Sequence, residues 1–307
     1  MAWVLLFVVV QYYDKKEQGG VQTTPTTITE PNISSITSIE DSNIIITVTE
    51  EEFNYPSEID VVIESNSPKF TEEKALSIAK NYGFSVYYKK FVDINAGDTY
   101  IWSEDNRSLT VYLGTGVVIY KNNKSGAINK QLSDRDISSI AIEFVNVADI
   151  YGEKIDVFNI FTVNEADKIK RVNLTPTITD IPIVTTIPNA SAVYTDIPQD
   201  GEVMNAYMRS MNNLLLTEDK YAIKNLEDIR STIYESSVIS MGDQAEFLPP
   251  ISMGDINNVV INDIKLAYLT PGGTEKIYYP VFILTGNASL IPRTSLEPIT
   301  LYLSALK

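Results

Sequence analysis

The stretch SLTVYLGTGVVIY, Ser108–Tyr120, contains two runs of β-branched and aromatic residues joined by Gly114-Thr115-Gly116. Such runs favour strands, and a short glycine-containing link between them is typical of an antiparallel hairpin. Two further runs of the same kind precede it, at Ser85–Val92 and Thr99–Trp102. This part of the chain is therefore predicted to be a series of adjacent antiparallel strands.

Helices are predicted on both sides of these strands, because apolar residues recur there at helical spacing. The first has Thr71 as its N-cap and stops at Gly83. The second begins at Ser133, and Asp136 stands where it can complete a variant capping box. A third, shorter helix is capped by Asn225.

Further strands are predicted before, between and after the helices. They are Asn43–Thr49, Ile59–Ile63, Ile155–Val163, Lys168–Leu174, Ile181–Thr186, Ser191–Ile197, Glu202–Met211 and a closing hairpin of Val259–Leu269 with Ile277–Leu284. The chain thus repeats a helix followed by antiparallel strands about three times. This order predicts an α+β fold of tandem modules, each a helix packed on a twisted antiparallel sheet. A boundary near residue 175 would divide them into domains at residues 42–175 and 176–307.

The N-terminal segment, residues 1–20, contains the apolar run AWVLLFVVV at Ala2–Val10. Nine residues form a helix of about 14 Å, which is too short for a bilayer core of about 30 Å. Three interpretations stay open: part of a transmembrane anchor, a degenerate signal peptide, or a buried strand. We favour the anchor, because residues 21–41 are rich in threonine, serine and proline and are typical of a flexible linker.

The composition narrows the functions open to the chain. There is no cysteine and no histidine among 307 residues, so zinc sites of the usual kind and histidine-based triads are excluded. The net charge of −16 and a pI of about 4.5 argue against nucleic-acid binding. No catalytic residue and no cofactor-binding residue is assigned, and we expect a protein that is not an enzyme.

One loop resembles a metal site in its spacing. Asp93, Asn95 and Glu104 match three ligand positions of a calcium-binding EF-hand loop, but Gly97 and Asp98 do not fit that pattern. A polar hairpin loop is the preferred interpretation, and no metal ligand is assigned.

Four tyrosines in predicted strands form the adjacent pairs Tyr87-Tyr88 and Tyr278-Tyr279. Cross-strand packing on a half-buried sheet explains such pairs. The functional alternative is an aromatic surface that binds another protein. The four tyrosines are the candidate binding residues that the sequence offers.

Three stretches resemble a known group of proteins. They are TYIWSEDNRSLTVYLGTGVVIYKNN (Thr99–Asn123), DGEVMNAYMRSMNNLLLTEDKYAIKNLEDIRSTIYESS (Asp200–Ser237) and INDIKLAYLTPGGTEKIYYPVFILTGNA (Ile261–Ala288). In the order and spacing of their elements they are similar to the extracytoplasmic regions of the YycH/YycI regulators and related PepSY-type modules. The resemblance implies a membrane anchor, tandem helix-plus-sheet modules and a role in restraining, or sensing for, a kinase or peptidase. It implies no catalytic residue.

The expected function is that of a bacterial, single-pass membrane-anchored protein whose folded domains lie outside the cytoplasm. It would bind and regulate another envelope protein, a sensor kinase or a peptidase, through a sheet edge or an interdomain groove. A homodimer is left open. The alternatives are a structural or adhesive surface protein and a glycoside hydrolase that uses a pair of carboxylates.

Overall fold

The computed structural model describes most of the chain from Ile45 onward, with one short strand before it. The described residues are 37–38, 45–49, 53–65, 69–85, 87–123, 132–151, 155–164, 168–185, 191–241, 256–271, 276–290 and 296–307. They belong to one compact unit, Pro31–Lys307. The predicted anchor (residues 1–20) lies outside the described residues, as does the predicted linker (residues 21–41) apart from the first strand. Among the residues described, no helix is long and apolar enough to cross a membrane.

Strands make up 57% of the described residues and helices 16%. The strands are β1 (Thr37–Ser38), β2 (Ile45–Val48), β3 (Glu58–Glu64), β4 (Lys89–Asp93), β5 (Gly97–Glu104), β6 (Arg107–Tyr112), β7 (Val117–Asn122), β8 (Ile155–Asn164), β9 (Ile169–Ile178), β10 (Ile181–Val184), β11 (Val193–Ile197), β12 (Asn205–Arg209), β13 (Leu214–Ala222), β14 (Ser237–Met241), β15 (Ile256–Leu269), β16 (Ile277–Leu290) and β17 (Leu296–Ser304). The helices are α1 (Glu72–Asn81), α2 (Asp134–Val147) and α3 (Leu226–Thr232), and a 3-10 turn, Ile233–Glu235, follows α3.

The predicted helix caps are confirmed. The Thr71 hydroxyl accepts a hydrogen bond from the backbone of α1. Ser133 and Asp136 form a reciprocal capping box at the start of α2, and Asn225 and Asp228 form another at α3. Each cap satisfies backbone N–H groups that have no partner within the helix, so each fixes where its helix begins.

Eight strands form an antiparallel sheet in the order β4-β5-β6-β7-β12-β11-β9-β8. We call it the eight-stranded sheet. Both longer helices supply buried residues, among them Ile78 and Ile137, to a core that also contains Trp102, Leu109 and Val193. One face of this sheet is therefore buried against α1 and α2.

The C-terminal strands form a second group around the long hairpin of β15 and β16. β17 pairs with β16, and β14 pairs with β17. Two strands from the start of the chain join this group: β2 runs parallel to β15, and β3 pairs with the first residues of β16 and with β13. A second core lies here, with Phe282 and Leu301 among its buried residues.

The two cores do not divide at the boundary near residue 175 that the sequence suggested. β3 precedes that boundary, yet its residues Val61 and Val62 pack in the second core. β11 and β12 follow it, yet Val193 and Met208 pack in the first core. β10 connects the two groups, because it pairs antiparallel with β9 and parallel with β15.

The predicted fold class, tandem α+β modules, is wrong. The structure is mostly a large β-sheet with three short helices among the described residues, and its 17 strands are linked in one hydrogen-bonded network. α1 and α2 pack together on the same sheet, so they do not belong to separate modules. The prediction failed because it joined each helix to the strands next to it in sequence, whereas several strands pair across long separations, as β3 does with β13 and β7 with β12.

Candidate functional site

One face of the eight-stranded sheet points away from α1 and α2, and we call it the helix-free face. Side chains alternate along a strand, so the neighbours of core residues point to this face. The cross-strand register places them in one row: Lys89, Ile101, Thr110, Ile119, Tyr207, Tyr194, Asn173 and Asn159. The five from Ile101 to Tyr194 are half-buried, which leaves part of each side chain open to contact.

An arginine and two tyrosines hold one another in place on this face. The rings of Tyr194 and Tyr207 stack with centroids 5.7 Å apart and planes 10° from parallel. The Arg171 guanidinium lies 4.0 Å from the centre of the Tyr194 ring. Its Nε and Nη2 donate to the Asp196 carboxylate at 2.7 and 2.9 Å. We call Arg171, Tyr194, Asp196 and Tyr207 the arginine–tyrosine platform.

Hydrogen bonding and burial shift the pKa values of three platform residues, Arg171, Tyr194 and Tyr207. The hydrogen bonds from Arg171 to Asp196 raise the pKa of the guanidinium above its ordinary value. Burial raises the pKa of Tyr194 and of Tyr207, so both phenols stay neutral at physiological pH. Asp196 is 6% exposed and also accepts a hydrogen bond from Asn205 at 3.2 Å. The platform therefore offers a fixed cation and two flat, uncharged rings.

The first predicted tyrosine pair lies at the edge of the same sheet, just before β4. Tyr87 is 84% exposed and Tyr88 is 38% exposed. The Tyr88 ring packs against Tyr100 and Trp102, with centroids 5.1 and 5.5 Å away. Both residues of this pair are therefore accessible, although Tyr88 also covers part of the first core.

The second predicted pair does not lie on the surface. Tyr278 is 0% exposed and Tyr279 is 6% exposed, because β16 has strands on both sides and Tyr278 lies in the second core. Burial, with the nearby charge of Glu64, raises the pKa of Tyr278 to about 12, although Arg209 opposes the shift. Tyr278 and Tyr279 are therefore core residues, and the prediction that they belong to an exposed aromatic surface is wrong.

A buried ion cluster, which the sequence did not suggest, lies beside Tyr278. Lys69 Nζ is 2.5 Å from Glu64 Oε1, and the two side chains are 5% and 16% exposed. Arg209 Nη2 lies 3.5 Å from the other carboxylate oxygen, and Asn213 donates to Glu64 at 3.1 Å. Arg209 ends β12 of the eight-stranded sheet, whereas Glu64 ends β3 of the C-terminal group. The cluster therefore connects the two groups of strands.

The loop that resembled a calcium site forms a hairpin turn between β4 and β5. Asp93 Oδ1 accepts hydrogen bonds from the backbone of Asn95 and Ala96 at 2.8 and 2.9 Å. Glu104 stands at the other end of the eight-residue strand β5, roughly 24 Å further along. Its carboxylate accepts a hydrogen bond from the Ser85 backbone at 2.6 Å. No group of three or more metal-binding side chains occurs among the described residues.

A cavity of about 320 Å³ opens where β8, β9 and β10 meet the C-terminal strands. Its apolar wall includes Ile283 and Tyr302. Two carboxylates, Asp156 and Asp180, and one ammonium group, Lys265, also reach it. Hydroxyl groups make up much of the remaining lining, from Thr175, Thr177, Ser191, Ser240, Thr285 and Thr300. The size lies at the lower end of the range for small-molecule pockets.

Sequence reasoning missed the platform because its members are scattered along the chain. Arg171 and Asp196 are 25 residues apart, and no local spacing relates them. The available signal was alternation within strands: in β11, Tyr194 and Asp196 stand between the core residues Val193, Thr195 and Ile197. Only the register between β9 and β11, which sets Asp196 opposite Arg171, brings the pair together.

Comparisons with known proteins give little about this chain. No protein-family model matches it, and no curated protein sequence matches it significantly. Among solved structures, a crystal structure of an uncharacterized protein from Eubacterium rectale is similar, with a TM-score of 0.46 and 13% sequence identity. The match covers 82% of this chain and 85% of that one. A likeness of this level carries no inference about function, and none is taken from it.

Proposed function

We propose that this protein is a non-enzymatic interaction module of the bacterial envelope, which binds another envelope protein and regulates it. The observation that supports the proposal best is the arginine–tyrosine platform on the helix-free face. Tyrosine and arginine are the residue types most enriched at the energetic centres of protein interfaces. Tyr194, Tyr207 and Arg171 are already held by stacking and hydrogen bonds, so binding would cost little side-chain entropy.

The composition is consistent with binding rather than catalysis. A chain without histidine and cysteine lacks the commonest general base and the commonest thiol nucleophile. The charges on the platform are fixed within an Arg171–Asp196 pair. Such a pair suits recognition better than proton transfer, because the two groups are already engaged with each other through two hydrogen bonds.

The class of partner is proposed from the resemblance to the YycH/YycI and PepSY-type regulators. That resemblance suggests a sensor kinase or a peptidase as the target. The apolar run Ala2–Val10 would form part of a single-pass anchor, which would hold the folded residues outside the cytoplasm and close to a membrane-bound partner. Anchoring both proteins in one membrane raises their effective concentration, so even a modest interface would be occupied.

Photo-crosslinking in the organism of origin tests this proposal. A benzophenone amino acid would replace Tyr207 on the platform, and Tyr234 on the 3-10 turn in a matched control. Tyr234 is 41% exposed and Tyr207 is half-buried, so part of each side chain is accessible at the surface. We expect a specific envelope protein to crosslink from position 207 and not from position 234. Identical products from both positions would contradict a binding role for the platform.

The matched substitutions Tyr207→Ala and Tyr234→Ala give an independent measurement. A tyrosine at the centre of an interface contributes about 2 kcal/mol or more, so Tyr207→Ala should reduce affinity for the crosslinked partner at least about tenfold. Tyr234→Ala should leave affinity unchanged. Thermal melts of both variants separate a binding defect from unfolding. Recovery of wall polymer alone, with no protein partner, would instead favour the adhesive alternative.

A further inference from the structure

β4 forms one edge of the eight-stranded sheet, because it pairs with β5 and with no other described strand. Its surroundings are unusually apolar for an edge. Five of the thirteen large hydrophobic side chains that are exposed among the described residues lie between positions 87 and 94. They are Tyr87 at 84%, Tyr88 at 38%, Phe91 at 43%, Val92 at 73% and Ile94 at 100% exposure. An edge of this kind is a template for pairing with another strand.

Two other edge strands of the described structure carry features that discourage such pairing. β13 has an irregularity in its register between Leu216 and Lys220, and three consecutive charged residues, Glu218, Asp219 and Lys220, occupy that part of it. β8 has two irregularities in its pairing with β9. β4, in contrast, is in continuous register with β5 over its five residues. β4 is therefore better suited than β13 or β8 to accept another strand.

The sequence of β4 is complementary to itself when two copies run antiparallel. With Phe91 opposite Phe91 of the second copy, Lys89 lies opposite Asp93, since each is two residues from the centre. Tyr88 and Ile94, three residues from the centre, place apolar groups opposite each other. Antiparallel pairs of opposite charge or of apolar side chains stabilise a sheet. In every other antiparallel register centred on a residue of β4, either a lysine lies opposite a lysine or no acid lies opposite a base.

The existing ion pairs agree with this register. Lys90 already has a partner, because its Nζ lies 2.8 Å from Asp98 on β5. Lys89 has no ion-pair partner among the described residues. Asp93 uses Oδ1 for the hairpin turn, and its second oxygen takes part in none of the contacts between described residues. The two charges left over on this edge are thus the two that a second copy would bring together.

We infer that two copies of this protein associate through β4, by antiparallel pairing about a twofold axis at Phe91. The surface contributed by each copy is the same, as in other twofold dimers. The eight-stranded sheet then continues from one copy into the other. Because the axis is perpendicular to the sheet, both helix-free faces lie on the same side of the dimer.

Sedimentation velocity of the full chain and a cysteine crosslink test this inference. The native chain has no cysteine, so Phe91→Cys introduces a single thiol at the proposed axis. We expect the native chain to sediment as a dimer and Phe91→Cys to form a disulfide-linked dimer under mild oxidation. Tyr234→Cys is the matched control, with 41% exposure against 43% for Phe91, and it should stay largely uncrosslinked.

Charge exchange then tests the register. Lys89→Glu places two acids together at both symmetric sites and should weaken dimerisation about tenfold. Asp93→Lys places two lysines together and should do the same. A mixture of the two variants restores an acid opposite a base at both sites, so it should form a mixed dimer as tight as the native one. Circular dichroism of Asp93→Lys checks that the hairpin is intact, and Asp93→Asn, which keeps the turn acceptor, replaces it if it is not.

A native chain that sediments as a monomer at every soluble concentration would overturn the inference. Equal crosslinking from positions 91 and 234 would overturn it as well. If the chain dimerises but the mixed variants do not recover, the proposed register is wrong. The proposed partner-binding role depends on Tyr207, which lies four strands away from β4 across the sheet, so the two proposals fail independently.

Discussion

Glu64 and Lys69 form the most deeply buried ion pair among the described residues. Burial acts on their pKa values in opposite directions. Burial raises the pKa of Glu64, but hydrogen bonds from Lys69 and Asn213 and the nearby positive charges outweigh it and lower that pKa below its ordinary value of 4.5. Burial, followed by the charge of Arg209, lowers the pKa of Lys69 despite its contact with Glu64. Each charge is tolerated in the interior because the other is present.

We predict that Glu64→Gln destabilises the protein by about 3 kcal/mol, because it leaves Lys69 buried without an acid and close to Arg209. Urea denaturation measures the free energy of unfolding. Glu143→Gln, on the exposed side of α2, is the matched control and should change that free energy by less than about 0.5 kcal/mol. A Glu64→Gln variant as stable as the control would show that the pair does not support the fold.

The effect of Glu64→Gln on the free energy of unfolding should also depend on pH. The folded pKa of Glu64 is lower than the unfolded one, so the stability that its carboxylate contributes is complete above the unfolded pKa. That contribution is lost as the pH falls through the folded pKa. The difference in unfolding free energy between the native chain and Glu64→Gln should therefore shrink as the pH is lowered from 4.5. A difference that stays constant into strong acid would contradict this assignment.

A second prediction at this scale uses two tyrosines of the second core that are both 0% exposed. The Tyr268 hydroxyl donates to the Asp60 carbonyl at 2.7 Å, whereas the Tyr278 hydroxyl has no hydrogen-bond partner among the described residues. Tyr268→Phe should lower the free energy of unfolding by about 1 kcal/mol. Tyr278→Phe should be neutral or stabilising by about 1 kcal/mol, since it removes an unsatisfied polar group. Chemical denaturation measures both variants. An equal loss of unfolding free energy in the two would contradict the difference in hydrogen bonding between the two hydroxyls.

The tyrosine pairs also show what sequence can say about single residues. Both pairs have the same pattern in the chain, yet Tyr87 is 84% exposed and Tyr279 is 6% exposed. The difference arises from the neighbours of each strand. β16 has strands on both sides, whereas Tyr87 precedes a strand at an edge. Exposure at these positions is decided by pairings far away in sequence, which local pattern does not contain.

At the scale of elements, the capping box of α2 should be the feature most sensitive to small changes. The Ser133 hydroxyl accepts a hydrogen bond from the Asp136 backbone at 3.2 Å, and the Asp136 carboxylate accepts one from the Ser133 backbone at 3.1 Å. Ser133→Ala should destabilise the protein by about 1 kcal/mol. Ser139→Ala, an exposed position within the same helix, should be neutral or slightly stabilising. Thermal melts that fail to separate the two variants would contradict a role for the cap.

The elements predicted from local signals are largely confirmed. The hairpin around Gly114 and Gly116 became β6 and β7, and the closing hairpin became β15 and β16. Four strands were missed, of which β1 lies within the predicted linker. β13 contains a charged run, β14 is a short segment directly after the 3-10 turn, and β17 contains Pro298. In each case pairing with neighbouring strands overrides a weak local preference.

The whole molecule could not be predicted in this way, because its two cores exchange segments. We therefore predict that residues 1–175 and 176–307, expressed separately, do not fold as independent domains. The first fragment loses the last three residues of β9 and all of β11 and β12, and the second loses β3 from its core. Circular dichroism and thermal melting of each fragment measure this. Cooperative melting of either fragment alone would show that the boundary from sequence marks a true domain.

The parallel pairing of β2 with β15 also sets an order of events during synthesis. The Thr49 hydroxyl donates to the Ile261 carbonyl across 212 residues. A ribosome that adds 5 to 20 residues each second delivers that partner roughly 10 to 40 s later. For that interval β2 is a nascent strand with no partner in the finished pattern, and β3 shares most of the wait, because its partner β13 begins only at Leu214. Their protection from aggregation must come from chaperones or from the speed of translation, and slow codons after residue 64 would lengthen the exposure.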